Sequence, residues 1–232
     1  MISSAEKAEP RRSGGGRARR TGWLLVFAAA MGFLEAAVVV YLREIYYPGG
    51  FRFPIVPMPM RIFVVELLRE GATIGMILAI AALAGRDALD RFFVFGLVFG
   101  VWDLAYYASL RAALGWPESP GTWDILFLIP VPWLSPVLYP AIVSAFLIAG
   151  YAVHEALGAS GRTLRLGRRE WALASAGAAT IVVSFCWRFR DVVEQRLPGP
   201  FPARLYLAGL AIAVLPFARA AWRGLRGGPA PR

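Results

Sequence analysis

Six apolar stretches, each long enough to cross a lipid bilayer, constrain this sequence more than any other feature. They cover approximately residues 22–43, 61–84, 91–113, 137–156, 170–188 and 204–222. A membrane-spanning helix needs roughly 20 consecutive apolar residues. A water-soluble domain with so many apolar stretches would have little polar surface, and 58% of the chain is hydrophobic. The pattern predicts an all-α, multi-pass integral membrane protein with six transmembrane helices.

Two polar segments flank this predicted transmembrane domain, which covers residues 21–223. Residues 1–20 are basic and glycine-rich, a composition typical of a disordered tail, and residues 224–232 form a second short tail. The apolar run that follows the first tail is too long for the core of a signal peptide. We therefore expect it to remain as the first transmembrane helix.

The distribution of positive charge predicts how the chain is oriented. The formal net charge is +10, but the basic residues lie at the ends of the apolar stretches, which argues against nucleic acid as a partner. Sixteen lysines and arginines flank one side of the predicted bundle, and eight flank the other. Because basic residues accumulate on the cytoplasmic side, we predict that both termini are cytoplasmic. The membrane would be the plasma (inner) membrane of a bacterium, a source that the arginine-, alanine- and glycine-rich composition favours.

Three residue types occur only once, and this excludes several kinds of site. Cys186 is the sole cysteine, His154 the sole histidine and Lys7 the sole lysine. A single chain therefore cannot form an intrachain disulfide, a zinc site of several histidines and cysteines, or a haem site with two axial histidines. A buried Schiff-base lysine is also excluded, because Lys7 lies in the polar tail. We interpret His154, beside Glu155, as an interfacial residue.

Acidic residues occur at a similar depth in three of the predicted spans. Glu35, Glu70 and Asp103 each lie eight or nine residues from the end of their span. At 1.5 Å per residue, this places them about 12–14 Å below the same surface. Glu66 lies one turn above Glu70, with Arg69 between them in the sequence. A charged group facing lipid costs at least about 2.5–3.5 kcal/mol, so we predict that these side chains face one another inside the bundle.

Aromatic residues extend this predicted site toward the membrane surface. Tyr106 and Tyr107 lie one turn from Asp103 and would provide a cation–π wall. The candidate ligand-binding residues are Glu35, Glu66, Arg69, Glu70, Asp103, Tyr106, Tyr107, Trp123 and Asp124. Glycines beside the acids, at Gly71 and Gly75 and at Gly96 and Gly100, have the spacing that favours close helix packing.

The long loop after the third span contains the last two candidates. Its tryptophans, Trp116, Trp123 and Trp133, would form either part of the interfacial aromatic belt or a lid over the site. The segment DILFLIP is expected to be a short interfacial helix. Asp124 would cap that helix, or it would contribute to the site.

The excess of acids over bases in this layer leaves three functions open. Four carboxylates face Arg69 alone, so the layer requires a cation, which would be a proton, a hard metal ion such as Mg, Ca or Mn, or an organic cation. The first function is binding or transport of a cation or small cationic solute. The second is a carboxylate enzyme, with or without Mg, that acts on a lipid or isoprenoid substrate. The third is a non-catalytic subunit or assembly factor.

No cofactor or catalytic residue follows from the sequence. Partners would be the lipid bilayer and either a membrane subunit or further copies of the chain.

Overall fold

The computed structural model describes residues 14–226, which form a helical bundle with one β-hairpin. Six helical segments are long and apolar enough to cross a membrane, with α5 and the short α6 forming one segment. This supports the prediction of a multi-pass membrane protein. The elements are α1 (Gly14–Tyr46), α2 (Met60–Ala84), α3 (Ala88–Leu114), β1 (Trp123–Phe127), β2 (Trp133–Pro136), α4 (Leu138–Ala159), α5 (Arg168–Cys186), α6 (Phe189–Val193) and α7 (Ala203–Arg226).

The ends of the helices differ from the predicted spans mainly at the two polar tails. Helix α1 begins at Gly14, so the end of the expected disordered tail is helical, and α7 continues to Arg226. The start of α1 is held by Arg20, which contacts Asp90 and Glu155 on other helices. Composition alone predicted disorder here because it contains no information on these tertiary partners. The rest of both predicted tails, residues 1–13 and 227–232, lies outside the described residues.

Helix α3 is the centre of the bundle and packs against α1, α2 and α4. Glycine permits two of these contacts. A Cβ atom at Gly100 would lie 2.7 Å from the backbone oxygen of Ser144 on α4, and one at Gly32 of α1 would meet the backbone oxygen of Trp102. By contrast, an added Cβ at Gly71 or Gly75 would meet no atom within 4 Å. The expectation that Gly71 and Gly75 allow close helix packing is therefore wrong.

The second half of the chain forms a tight helix pair that closes the bundle. Gly177 of α5 lies against the backbone of α7 at Gly209 and Ala213. Helix α7 also packs on α4, where the Tyr206 hydroxyl donates a 2.8 Å hydrogen bond to the carbonyl oxygen of Tyr139. These contacts place α5 beside strand β2 and near the beginning of α4.

The loop after α3 is an antiparallel β-hairpin, which corrects two predictions. The fold is not purely α-helical, and the first four residues of the DILFLIP segment belong to strand β1 rather than to a helix that Asp124 caps. Asp124 pairs with Ser135, and Ile125 pairs with Leu134, across the two strands. Proline at positions 130 and 132 lacks the backbone donor that a continuing helix would require. The strands instead satisfy each other's backbone groups, and Asp124, Leu134 and Ser135 are buried.

Candidate functional site

A cavity of about 770 Å³ opens inside the bundle at the end where the hairpin lies. Its walls come from α1 to α5, the hairpin and the loop between α1 and α2. Eight of the nine predicted ligand-binding residues line it, namely Glu35, Glu66, Arg69, Glu70, Asp103, Tyr106, Tyr107 and Asp124. The ninth, Trp123, does not line the cavity and instead packs edge-on against Phe201, with 6.3 Å between ring centroids.

Arg69 bridges two of the carboxylates. Its guanidinium group forms an ion pair with Glu35 of α1 and another, at 2.8 Å, with Glu66 on its own helix. The hydroxyl of Thr73 donates a further hydrogen bond of 3.0 Å to Glu35. Since Glu35 lies on α1 and its two partners lie on α2, this network ties the two helices together across the cavity wall.

Asp103 has no basic partner among the described residues. Its carboxylate accepts a hydrogen bond of 2.7 Å from the hydroxyl of Ser144 on α4. Both side chains are buried, and they lie where Gly100 brings α3 and α4 together. A serine hydroxyl is a neutral donor, so it leaves the charge of the carboxylate uncompensated.

Glu70 is also satisfied by a neutral donor. Both of its carboxylate oxygens accept from the backbone N–H of Leu128, at 3.0 and 2.9 Å. Leu128 directly follows β1, so this contact attaches the turn of the hairpin to α2. No basic side chain of residues 14–226 forms an ion pair with Glu70 within 4.0 Å.

Asp124 forms a buried ion pair that sequence reasoning missed. Arg43 at the end of α1 donates to its carboxylate at 3.2 Å, and the Tyr107 hydroxyl donates at 3.2 Å. The Arg43 guanidinium carbon also lies 3.5 Å from the ring centroid of Trp116 and 4.4 Å from that of Phe51. Burial raises the pKa of Asp124 to about 6, and the charge of Arg43 opposes that rise. Arg43 looked like an ordinary end-of-span residue because its partner is distant in the sequence.

The cavity as a whole contains more acids than bases. Five carboxylates and two guanidinium groups line it, which leaves a formal charge of −3 when all of them are ionised. Arg69 compensates Glu35 and Glu66 in part, and Arg43 compensates Asp124. Of the three remaining negative charges, Glu35 and Glu66 share one around Arg69, and Glu70 and Asp103 carry the other two without any basic partner in the described part of the chain.

The remaining walls are apolar and largely aromatic. Tyr106 and Tyr107 pack edge to face, with ring centroids 5.1 Å apart. Trp133 lines the cavity. Trp116 does not line it and is buried against Arg43 and Tyr107. Apolar residues also line the walls that α3, α4 and α5 contribute, among them Phe95, Phe99, Val143, Leu147, Ile181 and Phe185. Such a space suits a ligand with an apolar body and a positive group.

A second charged cluster lies at the opposite end of the bundle. Asp90 is fully buried and pairs with Arg20 at 2.7 Å, Arg86 at 2.7 Å and His154 at 3.2 Å. Glu155 pairs with the same two arginines, at 2.8 and 2.6 Å. We call these five residues the Asp90 network. His154 thus contributes to helix packing as well as lying near the end of its span.

Among residues 14–226, only Asp90, His154 and Glu155 bring three potential metal-ligating side-chain atoms within 4.8 Å of one another. All three belong to the Asp90 network. Arg20 and Arg86 occupy the carboxylate oxygens that a metal ion would need. The described residues do not bring three cavity carboxylates within that distance. The cavity therefore lacks a compact set of three protein ligands for a metal ion.

Comparisons with protein-family models, with curated proteins and with solved structures found no match to this chain. The functional argument rests on the geometry and charge of the cavity.

Proposed function

We propose that this protein is a multi-pass membrane protein that binds, and carries through the membrane, a small organic cation in the cavity lined by Glu70 and Asp103. The observation that supports this function is the uncompensated negative charge of that cavity. Five carboxylates share two guanidinium groups there. A charged carboxylate in a membrane interior is costly unless a proton or another cation compensates it.

An organic cation fits the cavity better than a metal ion does. Metal ions such as Mg and Ca bind several oxygen ligands at about 2.0–2.6 Å, which requires closely grouped carboxylates. No three cavity acids among residues 14–226 form such a group. An organic cation needs fewer direct ligands, and aromatic rings such as those of Tyr106 and Tyr107 attract it through their faces.

The size and lining of the cavity also favour a small molecule. Ligand-binding cavities are typically about 300–1,000 Å³, mostly apolar, with a few polar groups that orient the ligand. The cavity of about 770 Å³ has this character, with acidic groups on α1, α2, α3 and the hairpin and apolar walls on α4 and α5. In this proposal the positive group of the ligand lies between Glu70 and Asp103, and its apolar part lies against α4 and α5.

A purely structural role for the acids is the competing proposal. Arg69 supports it, because this residue joins Glu35 of α1 to Glu66 of α2 and so holds two helices together. The same explanation does not extend to Glu70 and Asp103, which have neutral donors only. The two proposals therefore differ in what they predict for Asp103.

The test is cation binding by Asp103→Asn in purified protein. Asparagine keeps the shape of the side chain and a carbonyl oxygen that still accepts from Ser144, so we expect the thermal midpoint to change little. Titration of heptyltrimethylammonium, followed by tryptophan fluorescence, should show binding to the wild type and at least about a tenfold loss of affinity in the variant, because one carboxylate of a buried site no longer attracts the cation. Glu118→Gln, at an exposed acid in the loop after α3, is the matched control.

Wild-type affinity for the cation in Asp103→Asn would contradict the proposal. If that variant also accumulates poorly and unfolds early, the acid has a role in assembly. Mass spectrometry of the detergent-extracted wild type, searching for a co-purified cation, is an independent check.

We further propose that the protein lies in the plasma (inner) membrane with both termini in the cytoplasm. Sixteen basic residues flank that side, against eight on the other. The start of α1 and the end of α7 lie at the same end of the bundle, because Arg20 contacts Glu155 of α4 and Arg162, which follows α4, contacts Leu225. Cysteine labelling of each terminus in intact cells tests this orientation.

A further inference from the structure

Helix α2 is held to the bundle in two different ways along its length. In its second half, Ile77 and Ala81 are buried in the apolar core that surrounds α3. In its first half, the buried residues are Glu66, Glu70 and Thr73, and all three are polar. Residues 60–73 therefore face the bundle through polar side chains, without the buried apolar contacts that anchor the rest of the helix.

The polar contacts of this segment all involve carboxylates that line the cavity. Arg69 and Thr73 bond to Glu35 of α1, and Glu70 accepts from the backbone N–H of Leu128 at the hairpin. A cation in the cavity would compete with these donors for the same oxygens. Ligand binding and the attachment of this half of α2 are therefore linked through shared groups.

Two glycines lie near the middle of α2, where its two halves meet. Gly71 and Gly75 have open space where a side chain would be, so packing does not explain why they lack one. Glycine inside a helix makes that helix less stable than alanine does. Two of them, one turn apart, make this region of α2 the place where the helix bends most readily.

The opposite face of the segment is exposed and apolar. Val64, Val65 and Leu68 are exposed on α2, and in a bilayer they would contact lipid tails. The helix packs mainly against α3 and separates the cavity from its surroundings on that side. Movement of residues 60–73 would consequently connect the cavity to the lipid phase.

We infer that residues 60–73 of α2 form a lateral gate, and that the ligand is an amphiphilic cation which enters the cavity from the lipid phase. This inference rests on the proposed function and names its substrate class and its route. A ligand dissolved in the membrane reaches the gate with its apolar part in lipid. Its positive group passes Glu35 and Glu70, where it competes with the Arg69, Thr73 and Leu128 donors, and then lies between Glu70 and Asp103.

The test makes the gate helix stiffer without changing its closed structure. Gly71→Ala with Gly75→Ala adds methyl groups where no atom lies within 4 Å, so the closed cavity should be unchanged. Gly22→Ala on α1 is the matched control, because its added methyl group also meets nothing within 4 Å. The probe is heptyltrimethylammonium, with proteins reconstituted in nanodiscs and association followed by stopped-flow tryptophan fluorescence. We expect the double variant to associate about five- to tenfold more slowly, at unchanged affinity, because alanine resists bending.

The outcomes separate this inference from the proposed function. Binding by the wild type with equal association rates in the double variant and Gly22→Ala would overturn the gate and leave the binding function intact. No binding of the cation by the wild type would overturn both.

A second measurement reports the motion directly. Spin labels at Val64→Cys on α2 and Phe146→Cys on α4, in a Cys186→Ala background, report the distance between the gate and α4. We expect the probe to broaden or lengthen the distance distribution. A distribution that stays unchanged with bound probe would overturn the gate.

Discussion

The carboxylate of Asp103 on α3 accepts a hydrogen bond of 2.7 Å from the hydroxyl of Ser144 on α4. Both side chains are buried, and the bond lies where Gly100 allows the two helix backbones to approach. The same contact therefore positions the proposed cation-binding acid and joins two helices.

Removal of this hydroxyl should destabilise the protein measurably. Ser144→Ala leaves a buried carboxylate without its donor, and such a loss costs about 1–3 kcal/mol. We expect a lower thermal midpoint in detergent for Ser144→Ala, with the helical content unchanged. A double-mutant cycle with Asp103→Ala, which removes the acceptor, should show a coupling of about 0.5–1.5 kcal/mol, the usual net value of one hydrogen bond. Additive effects of the two substitutions would argue against this bond.

Gly100 should not tolerate a larger side chain. A methyl group there would lie 2.7 Å from the Ser144 backbone oxygen, so α3 and α4 must separate. Forcing extra volume into a packed contact costs about 1–3 kcal/mol. We expect Gly100→Ala to lower the thermal midpoint and Gly71→Ala, at an open position, to leave it the same or raise it. Equal midpoints for the two variants would contradict the observed helix contact.

Disruption of the Asp90 network should lower the thermal stability of the protein strongly, whereas metal chelation should not change it. Asp90→Asn removes the fully buried carboxylate that Arg20 and Arg86 share and leaves Glu155 as the acidic partner of both arginines. Breaking a buried ion pair from one side costs about 3–5 kcal/mol, so we expect a large fall in the thermal midpoint. EDTA should not change the midpoint of the wild type, because the arginines already occupy the oxygens of Asp90. A clear fall on chelation would instead indicate a metal ion.

Stability should depend on pH through Asp124. Burial raises its folded-state pKa to about 6, above the value of about 3.9 for an unperturbed aspartate. Between these values the folded protein binds more protons than the unfolded chain, so the contribution of Asp124 to stability falls as pH rises from about 4 to about 6 and is constant above that. We expect the midpoint difference between the wild type and Asp124→Asn to change in that window. Glu118→Gln, at an exposed acid, should show no comparable change, and a difference that is constant with pH would contradict the raised pKa.

Two corrections show the limits of pattern reasoning for this chain. The DILFLIP segment was expected to be helical because apolar residues in a membrane protein usually are, but β2 supplies a strand partner and Pro130 and Pro132 lack backbone donors. The glycine spacing on α2 predicted close packing, yet Gly71 and Gly75 face open space. Spacing describes which residues share a helix face, but it does not identify what lies opposite that face.

Residue types and their spacing predict the six membrane-length helices and place four acids and two tyrosines near one level of the bundle, where the structure has them lining one cavity. These properties follow from hydropathy and from the constant rise of a helix, which are local to each span. Which acids have a basic partner, and which have only a neutral donor, depends on how the helices pack. The contacts concerned join residues far apart in the sequence, since Arg43 and Asp124 are 81 positions apart, Glu70 and Leu128 are 58 apart, and Asp103 and Ser144 are 41 apart. A residue's neighbours at such separations depend on how whole helices pack, and that packing decides where negative charge remains for a ligand.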